Sequence, residues 1–65
     1  MMTKEEAKST VEAELSARKL TKRMTLTELL MYCQDAYKRL QFKTKGDRLA
    51  DIRAWAERWQ SMWLR

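Results

Sequence analysis

The chain has no histidine, no proline, one glycine and one cysteine, and each shortage removes a class of explanation. Histidine is the side chain most used for proton transfer near neutral pH, so its absence weighs against an enzyme. A zinc site would have only Cys33 and carboxylates to draw on, and no metal centre is expected. Cys33 has no second thiol to pair with, which excludes a disulfide staple within the chain. With Gly46 alone, neither a phosphate-cradling loop nor a dinucleotide fingerprint can be written. No catalytic residue and no cofactor is assigned, and no small-molecule substrate is expected. No segment approaches the roughly 20 apolar residues of a membrane span. The opening MMTKEEAKST is too polar for a secretory signal, and a lone thiol suits a reducing compartment, so the expected location is cytoplasmic.

The same shortages favour helix. Without proline, and with one glycine, nothing interrupts long helical runs except the polar connections themselves. No segment alternates with the period of two expected of a strand, so the fold class is all-α. Disorder is a poor description, because 45% of the residues are hydrophobic and they fall into periodic stripes. The 65 residues make one domain at most. A core of that size supplies only about 3–5 kcal/mol, so self-association or a partner is the natural supplement.

Three helices follow from start signals and stripes. Thr3 and Glu6 have capping-box spacing, which starts a first helix over about residues 4–19. Its stripe is thin, comprising Ala7, Val11 and Leu15, so this helix is expected to be weakly anchored. In MTLTELL, Thr25 and Glu28 repeat the capping box while Met24 and Leu29 occupy the positions of a hydrophobic staple. A second helix is predicted over about residues 26–41, with Leu26, Leu29, Leu30, Cys33, Ala36, Tyr37 and Leu40 in an arc of about 120°. Met31 and Tyr32 fall outside that arc. FKTKGD reads as a turn, with Thr44 or Asp47 able to cap a third helix over about residues 48–64. Leu49, Ile52, Trp55, Ala56, Trp59, Met62 and Trp63 then span about 140° of its circumference. The second and third helices are expected to form an antiparallel hairpin.

Trp55, Trp59 and Trp63 recur every fourth residue and climb one side of the third helix as a ladder. Packing against the leucines of the second helix is the simplest use. That stripe is too narrow to cover a 140° arc, and the first helix offers little more. A helical-bundle homodimer, or a larger protein partner, would cover the remainder. Trp55, Trp59, Met62, Trp63 and Tyr32 are therefore the candidate interface residues. Stacking of bases on the ladder is the sharper alternative, but its nearest cations, Arg53 and Arg58, are interrupted by Asp51 and Glu57.

Net charge is +5, unevenly spread. Residues 1–14 carry Lys4 and Lys8 against four glutamates, whereas residues 15–48 carry nine bases against three acids. The candidate nucleic-acid contacts are Arg18, Lys19, Lys22 and Arg23 in the first connection and Lys38, Arg39, Lys43, Lys45 and Arg48 around the second. With the helices running up and down, the two groups sit at opposite ends of the second helix, roughly 20 Å apart. Ordinary solvated surface is the competing reading of both. A helix-turn-helix is disfavoured, because the third helix is too apolar for a recognition helix. The expected function is that of a small non-catalytic regulatory or accessory protein, acting by protein association through its aromatic helical face. Its size and lack of catalytic groups suit an accessory protein of a phage or mobile element. The alternative is a DNA-binding regulator using the basic connections.

Overall fold

A computed structural model describes residues 1–64 and contains three α-helices. These are α1 (Lys4–Ala17), α2 (Leu26–Arg39) and α3 (Arg48–Trp63). The capping devices read in the sequence are present at atomic detail. The Thr3 amide donates to Glu6 Oε1 at 2.9 Å, and the Glu6 amide donates to Thr3 Oγ1 at 3.1 Å. Thr25 and Glu28 repeat the exchange at 3.0 and 3.2 Å. Met24 packs against the core at the staple position. Of the two caps considered for α3, Asp47 is used, accepting from the Leu49 amide at 3.0 Å.

The helix ends also have local causes. After Ala17 the chain turns through Lys19, whose φ of 53° is left-handed, a conformation that disfavours further helix. At the end of α2, Arg48 Nη1 donates to the carbonyls of Leu40 at 2.7 Å and Tyr37 at 3.1 Å. Carbonyls left over by the helix are thereby satisfied by the first residue of the next one.

α3 is the central element. α2 packs along it in the opposite direction, since Met24 at the start of α2 meets Gln60 late in α3. α1 lies on another side of α3 and runs parallel to it, with Lys4 near Asp51 and Ser16 near Trp59. The thin stripe of α1 is completely buried, and Ala7, Val11 and Leu15 are among the most enclosed residues of the core. Ala7 and Val11 are small side chains, and their full burial seats α1 against α3. Extended backbone adds to this, because the Met2 amide donates to the Gln41 carbonyl at 3.1 Å.

Docking of α1 changes which side of α2 is inside. The buried residues of α2 are Leu29, Tyr32, Cys33 and Ala36, followed by Leu40. Leu26, Leu30 and Tyr37, expected in the core, are exposed instead. The buried arc is thus rotated by roughly 50° from the one read in the sequence, toward α1. The expectation that Tyr32 points away from the core is corrected in the same way: only 3% of it is exposed. Its ring is covered by α1, and its hydroxyl donates to Glu14 Oε1 at 2.8 Å, so burial leaves no polar atom unpaired.

Candidate binding surfaces

The tryptophan ladder divides into three different environments. Trp55 is partly buried, with its ring 5.3 Å from that of Phe42 and tilted by 37°. Trp59 is in the core, 7% exposed, and its Nε1 donates to Ser16 Oγ at 3.2 Å. Trp63 lies past the last residue of α1 and is 69% exposed, with Met62 exposed beside it. Of the five candidate interface residues, Tyr32 and Trp59 are therefore used inside this chain. Met62 and Trp63 remain available at one end of the bundle.

A second apolar surface lies on the side of the α2–α3 pair that α1 does not cover. Leu26, 62% exposed, and Leu30 stand one turn apart on α2. Leu30, Cys33, Leu49 and Ala50 line a shallow cavity of about 240 Å³ between the helices, with Gln34, Asp47 and Arg53 at its rim. Arg53 Nε and Glu57 Oε1 pair along α3 at 3.1 Å. Burial pushes the Cys33 thiol above its ordinary pKa, which makes it a weaker nucleophile at neutral pH. The sequence reading placed Leu26 and Leu30 in the core because stripe periodicity alone does not say which flank a third helix will take.

The basic residues also separate into engaged and free groups. Arg39 donates to both oxygens of Glu14, at 2.7 and 3.0 Å, and to Asp35 Oδ2 at 2.8 Å. That guanidinium holds the Glu14 carboxyl below the usual glutamate range, aided by the Tyr32 hydroxyl. Desolvation and the facing carboxylate push the Tyr32 phenol upward, so it stays a donor across the ordinary pH range. Arg48 is tied to the end of α2 and lies over the Tyr37 ring at 4.2 Å. Two of the nine candidate nucleic-acid contacts therefore hold the fold together. Lys38, Lys43 and Lys45 are exposed near one end of α2, and Arg18, Lys19, Lys22 and Arg23 are exposed near the other. Arg18 additionally lies over the Tyr32 ring at 4.9 Å.

Sequence reasoning missed Gln60, which is buried and accepts the Met24 amide on Oε1 at 2.7 Å. Its position on the edge of the apolar arc of α3 was the available signal, since a polar residue there must find a partner. Among the described residues, no group of three histidine, cysteine or carboxylate side chains is placed to hold a metal ion. Among the same residues, no helix is long and apolar enough to cross a membrane. No family model, no curated protein and no solved structure matches the chain.

Proposed function

We propose that the chain is a non-catalytic accessory module that associates with a second copy of itself through the open face of α2 and α3. The observation that carries this reading is the pair Leu26 and Leu30, exposed one turn apart, with Leu30 lining a cavity together with Leu49 and Ala50. A two-fold contact would seat these leucines in the equivalent cavity of the other copy and form a four-helix layer from two hairpins. The cavity lining offers both signs to a two-fold mate, through Arg53 and through Asp47, the N-cap of α3. Small size supports the same conclusion, since a core of this extent gains from any further apolar burial.

The aromatic ladder is not the contact surface in this reading, because Trp59 serves the chain's own core. The contribution of a catalytic thiol is disfavoured by the burial of Cys33. Sedimentation equilibrium tests the proposal directly. The native chain is expected to dimerise with a concentration-dependent mass, and Leu30→Glu is expected to be a helical monomer. A native chain that stays monomeric at several hundred micromolar would overturn self-association and leave a larger protein as the occupant of this face.

A further inference from the structure

At the end of the bundle, the last turn of α3 meets the connection between α1 and α2. Trp63, Lys19 and Leu20 line one open cavity of about 280 Å³ there. Lys19 and Leu20 also line the next, of about 210 Å³, together with Lys22 and Arg23. A continuous surface therefore runs from the indole to the end of the connection. Lys19 sits at the junction because its left-handed backbone turns the chain immediately after α1. The sequence separates these residues by some forty positions, which is why the ladder looked distant from the basic segments.

The cations on this surface outnumber its one lining acid, Glu28, whose carboxyl is lowered first by the Thr25 amide and in part by Lys22 and Arg18. Among the described residues, Arg18, Lys19, Lys22 and Arg23 form no ion pair. The neighbouring acid, Glu28, already accepts the Thr25 amide in the capping box of α2. What remains is a flat aromatic face, mostly exposed, in one cavity with Lys19 and next to a second that Lys22 and Arg23 line. Bases stack on such a face irrespective of their identity, and the phosphates that flank them seek lysine and arginine. A duplex hides its base faces, so the indole adds affinity only for an unpaired strand. An anionic membrane surface fits less well. The apolar part is confined to Trp63, Met62 beside it and the Leu20 and Leu64 lining of a concave cleft, and the rest of α3 carries Arg53, Glu57 and Arg58 outward rather than a continuous apolar face.

We infer that this end of the bundle binds single-stranded nucleic acid, with a base on Trp63 and adjoining phosphates on Lys19, Lys22 and Arg23. The inference is independent of how copies associate, because the surface lies off the α2–α3 face.

The test is fluorescence anisotropy of the full chain with short labelled oligo-dT and oligo-U at low salt. Binding is expected to weaken with a slope of about −2 to −3 in log affinity against log salt, from about 0.7 per phosphate over three or four contacts. Trp63→Ala is expected to weaken binding about ten-fold, with Trp63→Phe retaining most of it. The Lys19→Glu, Lys22→Glu double variant is expected to abolish it. All these positions are exposed, and helical circular dichroism verifies that each variant folds. Preference for either oligonucleotide supports the inference. It is overturned if duplex competes as well as single strand, or if Trp63→Ala binds like the native chain. It is also overturned if neither oligonucleotide binds, including the case where the chain instead co-sediments with phosphatidylserine vesicles.

Discussion

Three tryptophans at identical spacing do three different jobs, and exposure separates them. Trp59 packs where α3 meets the C-terminal end of α1 and anchors its indole N–H on Ser16. Replacing it with alanine removes the packing of a whole indole and leaves Ser16 without its donor. Such changes cost about 3–5 kcal/mol, which equals the whole supply expected of a core this small. Trp59→Ala is therefore expected to be largely unfolded at room temperature, whereas Trp63→Ala should stay within about 0.5 kcal/mol of the native chain. Thermal melts followed by far-ultraviolet circular dichroism distinguish the two. Equal losses at both positions would contradict the division of the ladder.

The elements themselves were largely legible from local chemistry. Thr3 with Glu6 and Thr25 with Glu28 announce two helix starts because the capping box is written within four residues. What could not be read was the rotation of α2 about its own axis. Leu26 and Leu30 match the stripe as well as Tyr32 violates it, yet the docking of α1 buries Tyr32 and exposes the leucines. A tyrosine with an acid waiting on another helix can be buried, and Glu14 is eighteen residues away in sequence. The turn before α3 lies where FKTKGD predicts it, and its glycine is not required by the backbone. Gly46 has no positive φ, and a Cβ placed there meets nothing within 4 Å. Gly46→Ala should therefore be neutral or raise stability by about 0.4–1 kcal/mol, through a less flexible unfolded chain. A lowered denaturant midpoint in that variant would show that the turn uses glycine after all.

At the scale of the molecule, one carboxylate links two helices that share little backbone contact. α1 packs on α3, and its ties to α2 run through side chains, chiefly Glu14 with Arg39 and Tyr32. The folded state holds the Glu14 carboxyl below its ordinary pKa, first because Arg39 donates to it. Glu6 and Glu28 are also lowered, each by the backbone amide of its capping threonine. A carboxyl whose folded pKa is depressed gives its full stabilisation above its unfolded pKa and loses it as pH falls through the folded one. All three groups therefore act in the same direction, and stability is expected to be level near neutrality and to decline below about pH 4. Glu14 is partly open to solvent, so its share is about 0.5–1 kcal/mol after screening. Glu14→Gln isolates that share, because the amide oxygen can still accept from Tyr32 while the ion pair with Arg39 is gone. Urea midpoints measured near pH 7 and pH 3 should fall less in this variant than in the native chain, from a lower starting value at pH 7. An equal fall in both would mean that acid acts through the helix caps alone and that α1 is held by its apolar stripe without help from the Glu14–Arg39 pair.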